Sequence, residues 1–145
     1  MKRMSVAVSL LGVALSANAA DSWDAHFAYE SSGGMRDTAM PAGKIRDTIK
    51  STLQRRGIDP KFLSSGLGDS YLNFTLSGAY VPQLSDVRMV AMGMSVFKKV
   101  GGMSVSVCSS TGLAWRTVSA QKFLEGVAAN VDSFLSACAS HIVRR

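Results

Sequence analysis

The sequence is poor in the side chains that do most enzyme chemistry. Its 145 residues hold only two histidines, His26 and His141, two cysteines, Cys108 and Cys138, and two glutamates, Glu30 and Glu125. The histidines and cysteines have no paired ligand spacing, so no metal and no cofactor are expected. Cys138 and His141 do fall three apart, but a histidine near a helix C-terminus is accounted for by the helix dipole. Glu30 and Glu125 are far apart, and the aspartates mostly sit at turns or helix starts, where Asp shapes the local backbone. No carboxylate pair for acid–base work presents itself. The glycine-rich pieces "SSGGM" and "VGGMS" lack the lysine and the strand-to-helix context of a phosphate-binding loop.

Long apolar runs are also missing, with one exception at the start. Lys2 and Arg3 precede an apolar stretch from Met4 to Leu15, and Ala17-Asn18-Ala19 supplies small residues at a cleavage site. This is the pattern of a secretory leader, too short to span a bilayer, and it predicts a signal peptide over 1–19. No cysteine follows it, so no lipid anchor is expected. Export to the periplasm or beyond follows, with a mature chain that does not cross the membrane.

Charge is modest. The full chain carries 16 basic and 10 acidic residues, a net +6. Loss of Lys2 and Arg3 with the leader brings this to +4. The doublets Arg55-Arg56, Lys98-Lys99 and Arg144-Arg145 are scattered rather than gathered, which reads as solvated surface with at most weak contact to anionic surfaces.

Residues 20–40 read as an irregular arm, because "SSGGM" breaks the short strand pattern of "AHFAYESS". A single α+β domain is expected over 41–145. Its first helix is marked by Pro41 at the start, by Ile45, Ile49 and Leu53 on one stripe, and by Gly57 at the stop. "IDPKFLSSGLG" then reads as a turn, with one short helical turn at 60–64. Leu72, Phe74 and Leu76 alternate with Asn73, Thr75 and Ser77, the pattern of a half-buried strand. Two more strands, about 87–100 and 103–109, flank a Gly101-Gly102 hairpin turn. A final helix runs from Ser119 or Ala120 to about Ile142, with Phe123, Leu124, Val127, Val131, Phe134, Leu135, Cys138 and Ile142 on its apolar stripe. The expected fold is a three-stranded antiparallel meander with two flanking helices, in the order α-β-β-β-α.

The hairpin sets a register. Val100 faces Met103, Lys98 faces Val105 and Val96 faces Val107 on one large apolar face, continued by Met94, Met92 and Val90. The methionines there are gap-filling core residues. The other face is small and mostly polar, with Cys108 opposite Ser95 unless a bulge intervenes. A final helix on the large face would then leave the sheet between the two thiols; on the small face it would let them bond. The oxidising compartment implied by the leader favours a Cys108–Cys138 disulfide.

Gly68-Asp69-Ser70 resembles the triplet that carries the nucleophilic serine of the GDS-type esterases. That family places the serine after its first core strand and before a helix, with an Asp and a His-Pro pair in a later block. Here the triplet precedes a strand, Tyr71 follows it, and the later block is absent. The element order is similar to that of the double-stranded-RNA-binding domain, but "SAQKF" offers Lys122 alone where that family clusters lysines. No nucleic-acid partner is expected. The sequence therefore points to an exported non-enzymatic protein working through protein or envelope contacts. Met89 and Phe97 on the small face, bordered by Trp115 and joined by Lys98 and Lys99, form its candidate interaction surface. The alternative is a small exported hydrolase or anionic-ligand binder using Ser70 and His141.

Overall fold

Seven elements make up the described residues, 20–32, 42–80, 88–116 and 119–142, of a computed structural model. They are β1 (Asp21–Ser32), α1 (Ala42–Arg55), β2 (Ile58–Phe62), β3 (Ser70–Tyr80), β4 (Arg88–Val100), β5 (Met103–Arg116) and α2 (Ala120–Ala137). The strands form one mixed sheet in the order β2-β1-β3-β4-β5. β1 runs parallel to both β2 and β3, while β3, β4 and β5 are antiparallel neighbours. The expected three-stranded meander is therefore too small by two strands, and the sheet is not purely antiparallel.

Both extra strands lie in segments rich in turn-forming residues. β1 occupies the expected irregular arm, where Trp23 and Ala25 are buried and Phe27 and Tyr29 pack against the core. Their alternation with Asp24, His26 and Ala28 is a strand period, which outweighs the glycines that follow. β2 replaces the expected turn at 60–64. Its Pro60 lies opposite Trp23. Proline is tolerated there because β2 is an edge strand, where one missing ladder donor costs little. The rest of the expected arm, 33–40, Pro41 at the expected helix start, and the expected leader, 1–19, lie outside the described residues.

The helices follow the sequence more closely. Ile45, Ile49 and Leu53 of α1 are fully buried. The helix closes with Gly57 at φ 78°, whose N–H donates to the Gln54 carbonyl, a left-handed stop that glycine adopts without strain. Ser119 caps α2 by accepting from the Lys122 N–H, which satisfies one of the free donors at a helix start. α2 ends at Ala137, short of Ile142, and the chain turns back with the His141 and Ile142 N–H groups donating to the Cys138 carbonyl.

Both helices pack on one face of the sheet. Leu72, Phe74, Leu76, Met92, Met94 and Val96 supply that face and are buried under Phe123, Val127, Val131 and Phe134. Phe74 and Phe134 meet edge to face at 6.1 Å. At the surface Arg56 donates to Asp132 at 2.8 Å between half-exposed side chains, a pair worth under about 1 kcal/mol.

The hairpin register holds for four pairs and then slips. Val100↔Met103, Lys99↔Ser104, Lys98↔Val105 and Phe97↔Ser106 pair as the sequence predicts, but Val96 faces Cys108 rather than Val107. Val107 is the extra residue of a β-bulge, and every later side chain of β5 changes face. Cys108 thereby joins the core face, beneath α2. It is disulfide-bonded to Cys138 across a Cα–Cα distance of 5.8 Å. The helix covers the large face and the bond still forms, because the bulge carries one thiol through the sheet.

Candidate functional site

Alternation leaves the opposite face of the sheet without a helix among the described residues. β1 places Asp24 and His26 there, β3 places Tyr71, Asn73, Thr75 and Ser77, and β4 places Ala91, Gly93, Ser95 and Phe97. Beyond the bulge β5 adds Ser109 and Thr111. Two polar and aromatic pairs order this surface. His26 Nδ1 lies 2.9 Å from Asn73 Oδ1 across the β1–β3 ladder. Tyr71 and Phe97, cross-strand partners, stack with ring centroids 5.1 Å apart and planes 8° from parallel. Such a pair contributes roughly 0.5–1.5 kcal/mol beyond its burial, and both rings remain partly exposed. Around them the surface is small and hydroxylic.

The segment between β2 and β3, residues 63–69, crosses this face over β1 to carry the chain from one side of β1 to the other. Asp24 pins it, its Oδ2 accepting from the Gly68 N–H at 2.7 Å. A side chain at Gly68 would stand 3.0 Å from that same oxygen. Lys99 holds the segment from the other side. Its N–H donates to the Asp69 carbonyl and its Nζ to the Leu67 carbonyl, both at 2.8 Å.

Ser70 begins β3 at the end of this segment. By alternation with Leu72 it faces the helical side of the sheet, whereas His26 faces the other and is engaged with Asn73. Ser70 borders a hollow of about 110 Å³ with Ser22, Asp24 and Asp69. A larger groove of about 470 Å³ lies at the helix ends between Trp23, Arg56, Ile58, Leu135 and Ile142. No histidine lines either space. Among the described residues no group of three His, Cys, Asp or Glu gathers in a way that could hold a metal ion.

The five residues expected to form one surface lie along β4 and β5. Phe97 is on the open face, and Lys99 bonds the crossing segment. Lys98 faces the helical side beside Val105. Met89 and Trp115 are cross-strand partners, eight residues along β4 from Phe97, roughly 25 Å at strand rise. Their side chains lie outside the described set. Sequence reasoning missed Tyr71, Asn73 and His26. The signal for Tyr71 and Asn73 was their alternation with Leu72 and Phe74, which puts them on the same face as Phe97 once the neighbouring strand is known.

No family model matches this sequence, and no curated protein matches it. Solved structures do match. The PelC dodecamer from Paraburkholderia phytofirmans aligns with a TM-score of 0.53 at 15% identity, over 82% of this chain and 88% of that one. The fold is PelC-like. A variant of the same PelC in a second crystal form gives 0.52 at 15% identity, over 82% and 87%. A Xanthomonas campestris protein of family-model DUF330 gives 0.40 at 14% identity, over 86% and 83%. At such identities the PelC likeness extends to the strand and helix arrangement and no further. Among the described residues no helix is long and apolar enough to cross a membrane.

Proposed function

We propose that this chain is an exported, non-enzymatic protein that acts through protein or envelope contacts made by its open sheet face. One observation carries the reading: both helices seal one face, while the other presents the stacked Tyr71–Phe97 pair and the His26–Asn73 pair amid small hydroxyl side chains. Partly exposed aromatics beside adaptable polar groups are the composition of recognition surfaces. The leader-like first 19 residues support export. A serine nucleophile needs a base within hydrogen-bond reach, and neither His141 nor His26 lines the hollow that Ser70 borders, which weighs against the hydrolase alternative.

The test uses the full chain expressed with its leader. A photo-crosslinking phenylalanine analogue replaces Phe97 in one version and the exposed Gln121 of α2 in another. The expected result is a discrete envelope adduct from position 97 alone, in a chain recovered from the exported fraction. Equal crosslinking from both positions would overturn the reading. So would labelling by an activity-based serine-hydrolase probe that disappears in Ser70→Ala.

A further inference from the structure

The two edges of the sheet are built differently. β2, one edge, has five residues that include Asp59, Pro60 and Lys61. Short length, proline and charge are the devices by which proteins keep sheet edges from pairing with other chains. β5, the other edge, has fourteen residues with no proline and no charged side chain before Arg116. Its bulge bends the lower end at Val107 and leaves Cys108–Arg116 as a continuous run. The outward row of backbone donors and acceptors on that run has no strand beside it among the described residues. Ser109 and Thr111, on the open face, are small and exposed, so another backbone can approach closely.

We infer that β5 is a strand-addition surface whose occupant is β5 of a second copy of this chain, paired antiparallel about a two-fold axis. Charge selects that occupant. A strand paired with itself brings its central side chains against their own copies, so any charge near the axis would meet a like charge. The run from Met103 to Trp115 contains none. With the axis through Thr111, residues that face each other between Cys108 and Ala114 share a face of the sheet. Thr111 then meets Thr111 of the second copy, a favourable hydroxyl pair. Arg116 falls beside the bulged end of the other copy's strand rather than beside its own mate. Both helical layers stay on one side of a continuous ten-stranded sheet, twice the five strands of one chain, and the self-complementary patch makes a closed pair. This inference goes beyond contact through the open face and does not depend on it.

The test is the mass of the purified exported chain, disulfide formed, by light scattering across a concentration series. The expected mass is that of two chains. Thr111→Lys is expected to reduce it to one chain that still unfolds cooperatively, because the side chain is exposed, at a lower temperature than the pair. Thr111→Glu is expected to do the same, and mixing the two variants to restore the pair as a heterodimer in native mass spectrometry. A single-chain mass at the highest soluble concentration overturns the inference. A dimer that survives Thr111→Lys overturns it too, as do masses beyond two chains or folded variants that fail to associate on mixing.

Discussion

Removing the Cys108–Cys138 bond tests the account of the bulge quantitatively. The bond closes a loop with a sequence separation of 30. The chain-entropy relation for a loop of that length gives about 3.6 kcal/mol of stabilisation through restriction of the unfolded chain. In a domain of this size that corresponds to a melting temperature lower by roughly 10–15 °C. The suitable variant is the double change Cys108→Ala with Cys138→Ala, which leaves no lone thiol in the core beside α2. Urea unfolding followed by far-UV circular dichroism, with and without reductant, reads the effect. The oxidised wild type is expected to exceed the double variant by about this amount, and the reduced wild type to fall near the variant. The denaturant slope is expected to rise when the bond is absent, since an uncrosslinked unfolded chain exposes more surface. A loss below about 1 kcal/mol, less than a third of the entropic figure, would refute the reasoning. It would mean that α2 is held against β5 by packing alone, with the bond as a passenger.

Two further predictions concern close approaches. A Cβ at Gly112 would stand 2.9 Å from Asn130 Oδ1, and the Asn130 amide is itself tied to the Gly126 carbonyl at 3.1 Å. Gly112→Val is therefore expected to push α2 off β5 and cost about 1–3 kcal/mol by chemical denaturation; an unchanged midpoint would show that Asn130 yields freely. Asp24→Ala removes the acceptor for the Gly68 N–H and is expected to cost about 1–2 kcal/mol. Amide exchange at Gly68 is expected to speed up well beyond the global change, and equal acceleration throughout the sheet would contradict a local pin.

Much of the fold is written in short-range pattern. The stripe of Ile45, Ile49 and Leu53, the Ser119 cap, the alternation of Leu72, Phe74 and Leu76 and the Gly101-Gly102 turn each act within a few residues, and each matches the structure. β1 and β2 were obscured because their strand character depends on partners distant in the chain. Asp59-Pro60-Lys61 has turn composition, and only an edge position beside Trp23 makes it a strand. The bulge is obscure for another reason. A regular ladder and a bulged one share the same alternating letters, and the structure has the bulged one, with Cys108 under α2. The open face was visible as a small, polar set of positions, but Tyr71 joins Phe97 only once β3 is laid beside β4. That pairing lies across a connection whose residues carry no hairpin signal.

The place of β1 in the sheet has a consequence for the order of folding. β1 comes first in the chain, yet both of its neighbours, β2 and β3, come later, and it must close a long loop to reach β3. The β3–β4–β5 hairpins need only nearby residues, so their pairing is entropically cheaper and faster. Until β1 inserts, β3 has an open edge, and Trp23, Phe27 and Tyr29 have no core to enter. Cys108 and Cys138 both belong to the later part of the chain, so oxidation can lock α2 onto β5 while the place of β1 beside β3 is still vacant. A chain crosslinked at that stage is oxidised but still lacks β1, with the edge of β3 open to pairing with other chains.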